Sequence, residues 1–462
     1  MKRVWMVLLV LMLVAVFAAC EAGATQGIFD GIDGKKNTVT EAPANDGALS
    51  YDAEVGIREG IESSGLYPGI SSVGKSAAVI GKPIEGAPTE GGQTVQAGQL
   101  TVCAYDDHEY ADYWQGLLVG TQEDKGAFHA YFNSFAFKAL WQITVTVEGV
   151  PGAKVQLYQG EEVLSRALTD NAGVAYVFGP TRPQADWTIR VTVPRTEGDA
   201  LVLSKPVEGT AVTFTEDEIA HAVRTKSAHI EVLFVIDTTG SMTDEINYLK
   251  AEIANVIGRI EQASGAEVTL GIMVYRDVRD EYVTLVSPFT TDIAAQQEFL
   301  AKQSADGGGD TPEAVDRAMT EAVAMQWSAR STKLIVHVAD AAAHEEDVPR
   351  WHQAVEEAAA RGIRIISVAS SGIDRQVEYF FRSQSLLTGG VYMYLTNDSG
   401  IGGDHLEATV YRRPQVELLN DSLVRVICAL HEGSRPITVF PAEEPVQGNS
   451  TQGTPEKDAP VE

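Results

Sequence analysis

Hydrophobic positions change their spacing along this chain, and each change predicts a different kind of structure. From Val4 to Phe17 the run is apolar without interruption, behind Lys2 and Arg3 and ahead of Ala18-Ala19-Cys20. A charged start, an apolar run short for a bilayer and small residues before a cysteine predict a secretory leader over residues 1–19. No later segment reaches the roughly 18 continuous apolar residues of a membrane helix. Residues 20–98 are rich in Gly, Ala, Ser, Thr and Pro and hold neither a strand nor a helix period, apart from a short patch at Ile57–Tyr67. They read as a flexible tether.

From residue 99 the pattern becomes one of alternation. Trp141, Ile143, Val145 and Val147 alternate with Gln142, Thr144, Thr146 and Glu148, which is a strand with one buried face. Gly149-Val150-Pro151-Gly152 turns the chain into Lys154–Tyr158, and Asp170-Asn171-Ala172-Gly173 turns it into Val174–Phe178. Trp187, Ile189, Val191 and Val193 alternate again. Short strands at close spacing predict an antiparallel β-sandwich over 99–215.

Beyond residue 216 strands and helices take turns. Glu231–Ile236 is an apolar, β-branched run suited to a strand buried on both faces. Ile246, Leu249, Ile253, Val256, Ile257 and Ile260 then recur at helical spacing, with Thr243 as the expected N-cap and Asp244 and Glu245 in the first turn. Further strands are expected at Val268–Tyr275, Leu334–Ala339 and Ile363–Val368. Helices are expected near Ile293–Lys302, Ala314–Ala324, Trp351–Ala360 and Val416–Leu430. This rhythm predicts an α/β, doubly wound, Rossmann-like domain over 216–435, with a parallel sheet between helices. The Pro-, Glu- and Gly-rich stretch 436–462 reads as a disordered acidic tail.

Composition adds two constraints. The 462 residues carry 35 Lys and Arg against 64 Asp and Glu, a formal net charge of −29 that disfavours nonspecific nucleic-acid binding. With Cys20 reserved for the leader boundary, Cys103 and Cys428 remain. They fit either one disulfide in an oxidising compartment or two separate buried thiols.

Candidate chemistry gathers where a doubly wound sheet binds ligands, at the carboxyl ends of its strands. Asp237-Thr238-Thr239-Gly240-Ser241 follows the first strand, Gly307-Gly308-Gly309-Asp310-Thr311-Pro312-Glu313 precedes a helix, and Asp340 ends the strand Lys333–Ala339. A carboxylate with hydroxyls two and four residues later sets three oxygen ligands on one turn, and Gly240 lets the backbone approach. Thr311 adds a hydroxyl and Asp340 a second carboxylate. All-oxygen ligation with few charges suits Mg²⁺, with Mn²⁺ or Ca²⁺ as substitutes, better than Zn²⁺. His337 lies within its strand and reads as a core residue, whereas His344 lies nearer the rim.

These residues carry several resemblances. Asp237–Ser241 resembles the Asp-x-Ser-x-Ser element of the metal-ion-dependent adhesion site in von Willebrand factor A domains. The resemblance implies Thr239, Ser241 and Thr311 as hydroxyl ligands, with Asp237 and Asp340 holding the metal directly or through water. Gly271–Asp277, the triple-glycine loop and Asp340-Ala341-Ala342-Ala343-His344 resemble the hemicentin-like branch, with two alanines where that branch often has prolines. The likeness covers residues 228–432. Ala18-Ala19-Cys20 resembles the lipobox of bacterial lipoproteins, in which the cysteine is acylated, although Phe17 stands where Leu is usual. Residues 151–173 resemble bacterial Ig-like, carboxypeptidase-regulatory-like modules, and Leu100–His108 with Trp114 resembles a stretch found ahead of them.

Two enzymatic lookalikes fail on context. Gly69-Ile70-Ser71-Ser72-Val73-Gly74-Lys75-Ser76 spells a P-loop but lacks the buried strand before it and the helix after it. Asp237–Ser241 also approaches an aspartyl-phosphate motif, but the partner carboxylates and lysine of a phosphotransferase are not in place. The expectation is therefore a non-catalytic, lipid-anchored, extracytoplasmic adhesion-type protein. Its protein partner would supply a carboxylate to the metal. An envelope scaffold with a purely structural metal site is the alternative.

Overall fold

The computed structural model describes residues 96–442, apart from 121–124 and 310. The expected leader, Cys20, most of the tether, the Gly69–Ser76 motif and all but the first residues of the tail lie outside the described residues. Among the described residues no helix is long and apolar enough to cross a membrane.

The chain begins with β1 (Thr101–Tyr105), α1 (Ala111–Val119) and α2 (His129–Ser134). The strands β2 (Trp141–Val147), β3 (Lys154–Gln159), β4 (Glu162–Leu168), β5 (Val174–Gly179), β6 (Trp187–Val193), β7 (Leu201–Pro206) and β8 (Ala211–Phe214) follow. The α/β part comprises β9 (His229–Asp237), α3 (Thr243–Ser264), β10 (Glu267–Tyr275), β11 (Thr284–Thr290), α4 (Ile293–Ala301) and α5 (Val315–Ala324). It continues with β12 (Thr332–Ala339), α6 (Val348–Ala360), β13 (Ile363–Ala369), α7 (Arg375–Leu387), β14 (Val391–Leu395), β15 (Glu417–Leu418) and α8 (Leu419–Glu432).

One eight-stranded sheet runs in the order β11-β10-β9-β12-β13-β14-β1-β15. Its centre, β10 to β14, is parallel, while β11 and β1 pair antiparallel to their neighbours, so the sheet is mixed and not wholly parallel. Along β9, Val232, Phe234 and Ile236 join the core beneath α3 and α8, and Leu233 and Val235 join the core beneath α5, α6 and α7. Burial on both faces explains why the strand reads as a continuous apolar run. Thr243 opens α3 instead of capping it; its hydroxyl donates to the Gly240 carbonyl at 2.5 Å.

The β-rich module has two sheets, β5-β2-β8 and β4-β3-β6-β7, around a core that includes Ile143, Val145, Val155, Trp187, Ile189 and Phe214. It is not wholly antiparallel, because β8 pairs parallel to β2. The stretch from 99 also divides differently from the expected sandwich. Strand β1 lies in the large sheet between β14 and β15, and the β module is an insertion between β1 and β9. Leu100, Val102, Cys103, Ala104 and Tyr105 are all buried, the pattern of a strand covered on both faces and not of a half-buried sandwich strand. The buried Glu252 carboxylate accepts the backbone N–H groups of Gly98 and Gln99, fixing the entry to β1. Arg382 on α7 is fully buried against Asp107 and Glu378 and holds the next turn in place.

The two remaining cysteines are free. Cys103 packs in the core under α5, α6 and α7, whereas Cys428 packs against the core on the other face of the sheet. The sheet separates them, so the disulfide expectation is corrected.

Candidate metal centre

Strand β9 has β10 on one side and β12 on the other, so the chain reverses its direction of winding between β9 and β12. Such a reversal opens a crevice at the carboxyl ends of the two strands. Val338 is in register with Ile236, which sets Asp340 just past the level of Asp237 across the crevice.

Asp237 is completely buried. Its Oδ1 accepts the Thr239 N–H at 2.9 Å and the Thr239 hydroxyl at 2.7 Å, and that hydroxyl lies 3.3 Å from the Ser241 hydroxyl. Its Oδ2 has no hydrogen-bond partner, nor does the buried Oδ1 of Asp340. Burial and then the Asp340 charge push Asp237 up to about 7, against the Thr239 bonds and the neighbouring Tyr275 hydroxyl. Burial raises Asp340 too, with Ser241 opposing and Glu245 adding to the rise. Two buried carboxylates that repel each other, each with an unsatisfied oxygen, form a centre that a cation would neutralise.

The triple-glycine loop closes over this pair. The Gly240 N–H donates to the Gly307 carbonyl at 3.3 Å, and the Asp306 N–H donates to the Thr238 carbonyl at 3.0 Å. Gly307 and Gly308 both have φ of +80°, where a side chain is strained. A Cβ on Gly307 would also stand 2.5 Å from the Asp280 carboxyl, and one on Gly308 would stand 3.4 Å from the Thr239 Cβ.

Four of the five expected ligands therefore gather: Asp237, Thr239, Ser241 and Asp340. Thr311 does not join them; it is exposed and makes no hydrogen bond among the described residues. Among the described residues no three His, Cys, Asp or Glu side chains converge as a metal-binding group. A cation here would rely on two carboxylates, hydroxyls and water, a donor set that fits Mg²⁺ or Mn²⁺.

Two further carboxylates were not anticipated. Glu313 is 3% exposed, with an unpartnered Oε2. Burial, followed by Asp237, Asp277, Asp340 and Asp280, pushes it up to about 9. Glu245 is 1% exposed; its Oε1 accepts the Ser371 N–H at 3.0 Å and lies 3.3 Å from His405 Nε2, while Oε2 is unpartnered. The sequence carried a signal for Glu245, because it shares the apolar stripe of Leu249 and Val256 at helical spacing. Glu313 gave no such signal, since it follows a proline in a glycine loop.

His337 is fully buried between Tyr275 and Gln384, with Nε2 3.0 Å from the Tyr275 hydroxyl and Nδ1 2.9 Å from Gln384 Nε2. Because the Gln384 amide donates to Nδ1, the proton sits on Nε2 and points at Tyr275, beside Asp237. His344 Nε2 pairs with Asp277 at 2.7 Å.

Residues 231–401 match the sequence profile of the von Willebrand factor A domain, and such a domain occupies that part of the chain. The alpha-protein kinase vwkA of Dictyostelium discoideum is 24% identical over 218 residues, covering 46% of this chain and 34% of that protein. A putative ariadne-like RING finger protein R811 of Acanthamoeba polyphaga mimivirus is 25% identical over 189 residues, covering 36% of this chain and 18% of that protein. The matches thus span about a third or less of these curated relatives. Among solved structures, a conserved hypothetical protein BatB from Bacteroides thetaiotaomicron overlaps with a TM-score of 0.29 at 16% identity, over 36% of this chain and 89% of that one. An aerotolerance-related membrane protein from Bacteroides fragilis NCTC 9343 overlaps with a TM-score of 0.28 at 17% identity, over 37% of this chain and 94% of that one. The pilus adhesin SpaC from Lactobacillus rhamnosus GG overlaps with a TM-score of 0.27 at 11% identity, over 46% and 30%.

Proposed function

We propose that the von Willebrand factor A domain at residues 231–401 is a non-catalytic protein-binding module whose grip depends on a divalent cation. Asp237 and Asp340 would supply its carboxylates and Thr239 and Ser241 its hydroxyls, with Thr311 drawn in from the exposed end of the glycine loop. A cation held by these residues would supply a Lewis-acidic position open to a partner's Asp or Glu side chain. The observation that carries this reading is the pair of buried carboxylate oxygens, Asp237 Oδ2 and Asp340 Oδ1, left unpartnered beside two hydroxyls. An unsatisfied buried polar group costs about 1–3 kcal/mol and more when charged, so the arrangement calls for a bound counter-ion.

The leader-like start, Lys2-Arg3 with the apolar run to Cys20, supports export and acylation at Cys20, which would display the module on the outer side of a bacterial membrane. The test is equilibrium binding of a labelled Gly-Ser-Ser-Glu-Ser-Ser-Gly peptide to the full chain in detergent. Binding in Mg²⁺ that disappears with EDTA, and with Gln in place of Glu, supports the proposal. Binding that ignores the chelator refutes it.

A further inference from the structure

The loops around the centre are far more acidic than one cation requires. They cover residues 237–245, 276–283, 303–313, 340–347, 370–374 and 396–407, and they contain two arginines and no lysine. Arg276 is buried, its guanidinium held by the Thr238 and Ser304 carbonyls at 3.2 and 2.9 Å, and only Arg279 of the two is exposed. Against this stand the exposed carboxylates of Asp244, Glu281, Asp306, Glu345, Glu346 and Asp404, none of which forms an ion pair among the described residues. Beneath them lie the buried Asp237, Asp340, Glu245 and Glu313, each with an unpartnered oxygen. A cavity of about 270 Å³ opens beside Tyr394, Asn397 and His405 on the same edge. Arg413 already neutralises its Asp398 and Glu407 carboxylates, at 2.8 and 3.9 Å. The uncompensated charge lies on the other loops.

Asp237 and Asp340 together balance one divalent ion, so Glu245 and the exposed rim carboxylates keep the edge negative with the cation bound. A partner carboxylate approaching that ion meets repulsion from every side except the ion itself. Cations placed next to that carboxylate would convert the rim from a barrier into an attraction. We infer that the partner is a basic protein segment in which a single acidic side chain is flanked by lysine or arginine: the acidic residue takes the metal and its neighbours take the rim. This inference rests on the metal-dependent binding proposed above and adds the partner's charge pattern to it.

The probes are Gly-Lys-Lys-Glu-Lys-Lys-Gly, the serine-flanked peptide used above, Gly-Glu-Glu-Glu-Glu-Glu-Gly and the control Gly-Lys-Lys-Gln-Lys-Lys-Gly, each titrated into the full chain with Mg²⁺ or EDTA. The lysine-flanked Glu peptide should bind in Mg²⁺ about tenfold more tightly than the serine-flanked one at low salt, with the gap narrowing as the Debye length shrinks. Glu345→Lys with Glu346→Lys, both exposed, should erase most of that gap and leave the serine-flanked affinity unchanged or improved. Serine- or glutamate-flanked peptides binding as tightly as the lysine-flanked one overturn the inference while metal-dependent binding stands. Equal binding of the Gln control with or without chelator also overturns it, by exposing mere attraction to an acidic protein. No Mg²⁺-dependent binding by any Glu peptide sinks the function proposal and the inference with it.

Discussion

Replacing Arg382 with Met would loosen β1 and the turn that follows it from the large sheet. The guanidinium is fully buried. It reaches both Asp107 oxygens at 3.0 and 2.5 Å, Glu378 at 3.2 Å and the Thr409 carbonyl at 2.5 Å. It also lies within 5.2 to 5.9 Å of the ring centres of Tyr105, Trp114, Phe128 and Tyr392. Methionine fills the space but leaves the buried Asp107 carboxylate uncompensated, while Glu378 keeps Arg375 and the Thr409 N–H; breaking such a buried pair costs about 3–5 kcal/mol. Against a total stability of roughly 5–15 kcal/mol this is a large fraction. Urea unfolding followed by tryptophan fluorescence reads the loss, since Trp114 sits against the altered site, and limited proteolysis should cut first within residues 106–138. Adding Asp107→Asn should restore part of the loss, because a desolvated amide costs less than a desolvated charge. A loss below about 1 kcal/mol for Arg382→Met, or a double variant no better than the single, would refute the view that this ion cluster anchors β1 and its following turn.

The remaining expectations concern the core and the centre. Burial lowers His337 to about 3, so it stays neutral in the fold while the unfolded chain takes up a proton below its ordinary value near 6.5. Stability should therefore fall as pH drops from 6.5 towards 3, and the wild type should lose more between pH 7 and pH 5 in urea melts than His337→Gln does. Gly307→Ala should cost about 1–3 kcal/mol in the same melts, from its positive φ and the close Asp280 carboxyl, and should weaken Mg²⁺ binding. Glu245→Gln removes a charge beside Asp340, so the chelated protein should melt higher than wild type and gain less from Mg²⁺. A hundredfold excess of Mg²⁺ over its dissociation constant should add about 2.7 kcal/mol to wild-type stability, and a smaller increment should appear in the variant.

Much of the α/β part was legible because its chemistry sits on strongly patterned elements. The apolar, β-branched run before Asp237 suits a strand buried on both faces, and the stripe from Ile246 to Ile260 recurs at helical spacing. Their junction fixed Asp237, Thr239 and Ser241, and Asp340 followed from the next such strand. Less legible was β1, whose five residues are too short to show a period and whose partner β14 lies almost 300 positions later. Non-local pairing of this kind leaves no local trace, so an insertion looked like a module beginning at residue 99. Strand β8 misled for the same reason, because its parallel pairing with β2 is set by a long return path and not by a turn. Glu313 escaped notice because a carboxylate in a polar loop looks solvated until the loop folds back over the sheet edge.

The central claim is that Asp237 and its neighbours hold a cation, and Mn²⁺ titration followed by electron paramagnetic resonance tests it most directly. The full chain in detergent should remove one equivalent of free Mn²⁺ signal, reversed by Mg²⁺, and Asp237→Ala should abolish that uptake while the far-ultraviolet circular dichroism stays unchanged. Mn²⁺ uptake by folded Asp237→Ala equal to that of the wild type would contradict the account.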